Sequence, residues 1–110
     1  MTDVQPVLML IVRGLKSKLP REEVKRRTKQ RMPRFREVPG LIQKYYAYDE
    51  PTGEWAGIYL WDSERSLSKY LESDLQTSIA ASYELTEPPR IERYAIVDVL
   101  RGTTGSEHSS

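Results

Sequence analysis

Six aromatic residues crowd the middle of the chain, Tyr45, Tyr46, Tyr48, Trp55, Tyr59 and Trp61, with Lys44 at their edge. These are the residue types that could do chemistry. A tyrosine hydroxyl can donate a proton to a developing oxyanion, and a lysine or arginine can stabilise a phenolate or enolate. An indole offers a flat surface to an aromatic ligand. Asp98, placed towards the same space, is a candidate proton acceptor. Taken singly, each of these residues is more simply a core or interface residue, because aromatic side chains fill both.

The missing residues narrow the chemistry further. There is no cysteine and no asparagine, and the only histidine is His108, near the end of the chain. A Ser-His-Asp triad, a thiolate nucleophile and a histidine-based metal site are therefore excluded. No glycine-rich phosphate loop is present, which argues against a nucleotide cofactor. No acidic cluster has metal-ligand spacing, so neither a metal nor a cofactor is expected.

A chain of 110 residues, 38% hydrophobic and 30% charged, fits one globular domain. A domain of this size buries only about two-thirds of its unfolded surface, so pairing with a second copy would add burial. The longest apolar run, Val7 to Val12, is far shorter than the ~20 residues of a membrane span. No leader pattern marks the N-terminus. The expectation is a cytoplasmic protein with no membrane partner.

The net charge of +1 hides an asymmetry. Residues 13–36 hold eleven Lys or Arg against two Glu, while the rest holds six basic and fourteen acidic residues. Such a block can bind nucleic acid. With the pI near 7.9 rather than above ~9, it reads better as a solvated helix face or as a complement to the acidic half of a neighbouring copy.

The elements that must position the aromatic residues follow from the pattern. Pro6 to Arg13 predicts a strand buried on both faces. Pro20 opens a helix with Glu22 and Glu23 at its positive end. Its apolar stripe is Val24, Thr28, Met32 and Phe35. Pro33 should kink or break that helix, leaving a main body over 20–32 and a last turn to about 37. Leu41 to Asp49 and Trp55 to Asp62 predict a hairpin about Asp49-Glu50-Pro51-Thr52-Gly53. Asp62 or Ser63 caps a second helix, whose stripe of Leu67, Tyr70, Leu71, Leu75 and Ile79 runs loosely to Tyr83. Pro88-Pro89 ends it, Ile91 to Leu100 is a final strand, and 102–110 is a polar, disordered tail.

This order predicts a ferredoxin-like β-α-β-β-α-β domain over residues 1–101, of the α+β class: a four-stranded antiparallel sheet with its helices on one face. Alternation puts Trp55, Gly57, Tyr59 and Trp61 on one side of the sheet and Ala56, Ile58 and Leu60 on the other. A four-residue loop sets Asp49 opposite Glu54, and Tyr48, Tyr46 and Lys44 opposite Trp55, Gly57 and Tyr59. A three-residue loop would bring Tyr45 to Tyr59 instead. The four-residue loop is preferred, with the smaller aliphatic set, Leu41, Tyr45 and Ala47 towards the helices. The aromatic set with Lys44 is then left bare, and stacking two copies, a homodimer, would cover it.

Val38-Pro39-Gly40-Leu41 with Lys44 and Tyr46, followed by Trp55-Ala56-Gly57-Ile58-Tyr59-Leu60-Trp61, resembles a family of small proteins. These are the putative mono-oxygenases of the dimeric α/β-barrel type, which stand near the antibiotic-biosynthesis monooxygenases. The likeness spans residues 4–100 and is strongest over 38–62. It implies a ferredoxin-like homodimer with a cavity between helices and sheet or within the barrel. Some relatives oxidise polycyclic phenols with oxygen and neither metal nor flavin, and others degrade haem. Oxygenases of this kind tend to use an Asn with Trp, Tyr and Arg, and haem degraders need a His and an Asn. This chain departs from both patterns, having no Asn and only His108. The resemblance thus implies a cofactor-independent monooxygenase for a small phenolic or quinol-type aromatic. In it, Lys44 and Tyr59 would polarise the oxygen as catalytic residues, Trp55 and Trp61 would hold the ring, and Tyr46, Tyr48 and Asp98 would line the site. The alternatives are a non-catalytic ligand-binding or stress-related dimer, and a nucleic-acid-binding module using residues 13–36. A shared fold does not transfer a function.

Overall fold

The computed structural model describes residues 5–101. The expected tail over 102–110, with His108, lies outside the described residues. In chain order the elements are β1 (Leu8–Leu15), α1 (Arg21–Arg36), β2 (Leu41–Asp49), β3 (Glu54–Trp61), α2 (Glu64–Leu71), the single turns α3 (Asp74–Thr77) and α4 (Ile79–Ser82), and β4 (Arg90–Ala95). The sheet order is β2-β3-β1-β4 with every neighbour antiparallel. This is the expected ferredoxin-like α+β arrangement.

Local chemistry accounts for most boundaries. Pro20 precedes α1 and leaves its acidic residues, Glu22 and Glu23, in the first turn. Arg26 and Arg27 both reach back to Glu23 and hold its carboxyl down to about 2. Pro33 does not break the helix, contrary to expectation, and α1 runs unbroken to Arg36. The ring removes only the bond to the Lys29 carbonyl, and Phe35, buried beyond it, anchors the last turn in the core. Ser63 caps α2 by accepting from the Ser66 amide at 3.1 Å. The expected second helix, running to Tyr83, is instead broken in three, because Ser73 caps α3 after α2 ends and Ser78 separates α3 from α4. β4 stops at Ala95, five residues short of the expected end.

The hairpin has the preferred register. Asp49 pairs with Glu54, and Tyr48, Tyr46 and Lys44 pair with Trp55, Gly57 and Tyr59. The side assigned to each face is the reverse of the expectation. Tyr59 and Trp61 point at the helices and form the core with Leu10, Val12, Phe35, Leu67, Tyr70 and Leu75. Tyr45 lies half exposed on the other side. Leu41 alone of its assigned set packs on the core, because a bulge between Leu41 and Gln43 shifts the strand by one residue.

Size explains the reversal. On the helix side small aliphatic residues would leave voids between sheet and helices. The rings fill that gap. Tyr59 and Trp61 stack with centroids 6.3 Å apart and planes 5° from parallel, and Tyr70 tilts against both at 5.4 and 5.2 Å. The bare face is aliphatic instead. Met9 pairs with Leu60 and Ile11 with Ile58 across the β1–β3 ladder, flanked by Tyr45 and Tyr94.

Trp61 is fully buried. Trp61→Ala should therefore cost about 3–5 kcal/mol, read from the urea midpoint. A loss below ~1 kcal/mol would contradict the inward orientation of the ring.

Candidate functional site

The aromatic layer thins at one residue. Gly57 carries no side chain, and a Cβ there would stand 3.0 Å from Tyr59 Cε1 and 3.5 Å from Lys44 Cε. Around it lies a cavity of about 40 Å³ bounded by α1, the β2–β3 hairpin and the end of α4. That is room for roughly three waters. Its far end is closed by the segment after α4, where the Lys18 and Thr86 amides donate to the Glu84 and Lys16 carbonyls at 3.0 and 2.8 Å.

Lys44 enters this space from β2. Its Nζ lies 3.3 Å from the centroid of Phe35, 4.4 Å from Tyr46 and 4.5 Å from Tyr59. No carboxylate among the described residues pairs with it. Burial pushes its ammonium down to about 6, and the charge of Arg31 pushes the same way. The three ring faces attract the cation and oppose that depression. They do not replace the water it has lost.

Tyr59 lines the same cavity. Tyr70 Oη and Tyr59 Oη are hydrogen-bonded at 3.2 Å. Burial drives the Tyr59 phenol well above its usual range and lifts Tyr70 and Tyr46 to about 12. All three stay protonated donors near neutrality.

Arg31 supplies a second cation. Its Nη2 donates to the Leu75 carbonyl at 2.7 Å, and its Nη1 to Ser82 Oγ at 2.6 Å and Ser78 Oγ at 3.4 Å. Its Nε is buried with no partner. Tyr83 stands beside it, its hydroxyl 3.1 Å from Thr28 Oγ1. Across the wall formed by Phe35, Lys44 and Tyr46 runs an open groove of about 420 Å³, lined also by Met32, Arg36 and Gln43. Lys44 thus touches both spaces.

Of the expected site residues, Lys44, Tyr59, Tyr46 and Trp55 come together here. Trp61 does not, because it is sealed in the core between Tyr59 and Tyr70 and cannot hold a ligand ring. Tyr48 packs on Trp55 at 4.5 Å near the hairpin turn, with the Arg21 guanidinium 4.1 Å over its ring. It does not line the cavity. Asp98 lies beyond β4, exposed, accepting from the Val99 amide at 2.8 Å. It falls outside the site because the strand meant to carry it ends at Ala95. Sequence reasoning missed Arg31, Gly57 and Tyr83. Arg31 had a signal, since Val24, Thr28, Arg31 and Phe35 repeat at four, three and four, a truer helical stripe than one through Met32.

Comparison with known proteins sets this geometry in context. The family model described as "Putative mono-oxygenase ydhR" matches residues 10–102. No curated protein matches the sequence. Among solved structures, the chain is similar to a Nitrosomonas europaea protein of unknown function, NE2512, with TM-score 0.73 and 18% identity over 92% of this chain and 99% of that one. It is similar to a putative antibiotic biosynthesis monooxygenase from Caulobacter crescentus, with TM-score 0.69 and 16% identity over 87% and 94%. It also resembles SnoaB, a cofactor-independent oxygenase from Streptomyces nogalater, with TM-score 0.68 and 11% identity over 86% and 97%. At these identities the likeness shows the fold.

The state of Lys44 makes stability depend on pH. The unfolded chain keeps this proton up to about 10.5 and the folded chain releases it near 6. The unfolded state therefore binds more protons between those values, and the Lys44 contribution improves as pH rises through that window. Lys44→Met should raise Tm most at pH 6 and least at pH 10. An equal shift at both would contradict a depressed ammonium.

Proposed function

This chain belongs to the putative mono-oxygenase ydhR family, and from that premise we propose that it is a cofactor-independent monooxygenase of a small phenolic or quinol-type aromatic. The observation that carries the reading is the amine of Lys44, held without a carboxylate 4.5 Å from the Tyr59 ring in a cavity of rings. A lysine that is neutral near pH 7 is a general base, and a protonated buried phenol is a general acid.

The chemistry balances without an outside reductant. Lys44 takes the substrate hydroxyl proton, and the electron-rich phenolate gives two electrons to dioxygen as a bond forms between ring carbon and oxygen. Tyr59 protonates the outer oxygen. The O–O bond then breaks as the ring carbon loses its hydrogen, so one oxygen leaves as water and the other stays as a quinone carbonyl. Trp55 and Tyr46 offer ring faces at the cavity.

The aliphatic face of Met9, Ile11, Ile58 and Leu60 supports a homodimer formed by stacking two sheets. A non-catalytic ligand-binding dimer is the second reading. It draws on the cavity of about 40 Å³, which in this form holds no polycyclic ring.

Two measurements test this. Oxygen uptake with a monocyclic quinol and with anthrone should exceed the spontaneous rate, with kcat/KM rising through a limb near pH 6 set by Lys44. Tyr59→Phe should lower kcat by roughly 10²-fold with little change in KM. No uptake above the spontaneous rate would sink the oxygenase. Light scattering should give twice 12.8 kDa, and Ile58→Asp should give the single mass; a wild-type monomer would end the dimer proposal.

A further inference from the structure

Phe35, Lys44 and Tyr46 line both the enclosed cavity and the open groove, so a single layer of side chains divides the two. The Lys44 Nζ stands in that layer, against the rings of Phe35, Tyr46 and Tyr59. Its backbone amide donates to Gln43 Oε1 at 2.9 Å, but Nζ itself donates to no oxygen among the described residues. The unpartnered side-chain atoms sealed from solvent are Arg31 Nε, Trp61 Nε1 and Gln76 Oε1. The Lys44 nitrogen is not one of them, so it is unbonded and still reachable. The other five lysines differ. Lys16, Lys18, Lys25, Lys29 and Lys69 are exposed, and Lys16 and Lys25 face glutamates. A lysine kept for structure either pairs with an acid or carries its ammonium out to water. An amine set among ring faces with neither is desolvated in the way that Schiff-base lysines are.

We propose that Lys44 is a carbonyl-capturing nucleophile, which takes an aromatic aldehyde from the groove and holds it as an imine. The activity goes beyond the oxygenase reading and needs no oxygen. The groove of about 420 Å³ has room for the ring, with Phe35 and Tyr46 as faces and Met32 and Leu41 as apolar walls. The Lys44 lone pair forms the C–N bond as the carbonyl pair moves onto oxygen. One amine proton passes to that oxygen and gives the carbinolamine. The hydroxyls of Tyr46 and Tyr59, which line the cavity, lend a proton to the departing oxygen and recover one from nitrogen. The oxygen leaves as water, for which the cavity has space, and a C=N bond remains. The low affinity of this amine for protons, already described, keeps its lone pair available at neutral pH. No Asp or Glu among the described residues lines either space, and Arg31 faces the cavity. An iminium would therefore lack a counter-ion, and the adduct rests as the neutral imine. The site is built to hold a carbonyl compound, not to break its bonds.

Trapping of the adduct tests this. The full chain is incubated with benzaldehyde at pH 7.5 without oxygen, and borohydride then reduces any imine to a stable benzylamine that peptide mass mapping locates. Lys44 should carry the benzyl group at least ~10-fold in excess over any of the five exposed lysines. The rate of labelling should level off as benzaldehyde is raised, because the ring binds in the groove before the bond forms. Lys44→Met, with Tm followed as a check on folding, should lose the excess. No label on Lys44, a label spread evenly over the lysines, or a rate that climbs linearly with benzaldehyde would overturn the proposal. Because the reaction is run without oxygen, its failure leaves the oxygenase to its own test. A saturable Lys44 label, in a protein that consumes no oxygen with any aromatic, would uphold this inference and remove the oxygenase.

Discussion

The structure depends on one layer of rings. Phe35, Tyr59, Trp61 and Tyr70 stand between the sheet and the helices, each within 6.3 Å of at least one other. Aromatic side chains of this bulk hold α1 away from the strands and bring most of the buried area to a short chain. The spacing they set is wider than Gly57 can fill. The cavity is the consequence, and Lys44 is the side chain that the β2–β3 register delivers into it.

Placing a lysine there carries a cost. Removal from water favours the neutral amine, and the ring faces recover only part of what hydration gave. Arg31 adds to the strain, since it is held by neutral oxygens of the α3–α4 segment and keeps its charge unopposed. A guanidinium set beside a desolvated amine, with no acid at hand, does not build stability. It is the kind of local conflict that persists where a site needs it, and the surrounding ring layer is what makes it tolerable.

Much of this was legible in the sequence. Strand and helix order followed from apolar runs and from proline and glycine punctuation, and of the two hairpin registers that the turn Asp49–Gly53 allowed, the preferred one is observed. From that register came the grouping of Lys44, Tyr46, Trp55 and Tyr59. What alternation does not reveal is which side of a sheet its helices cover. The choice of small aliphatic residues for the helix side failed because it weighed polarity and not the width of the gap to be filled. Trp61 was lost to the site for the same reason: both rings face the helices and are buried, but only Tyr59, beside Gly57, lines the cavity. Asp98 was misplaced because the apolar alternation from Ile91 to Leu100 outlasts the hydrogen-bonded strand. Arg31 was hidden by its type, since an arginine in a run of basic residues reads as surface until a helix places it on the buried stripe.

The central claim is that Lys44 sits as a neutral base in a cavity of rings, and the ionisation of that one amine tests it most directly. In protein labelled with carbon-13 at the lysine ε position, Lys44→Met identifies its resonance among those of the six lysines. The account predicts that this resonance titrates near pH 6. A Lys44 resonance titrating near 10.5, the ordinary lysine value, would contradict it.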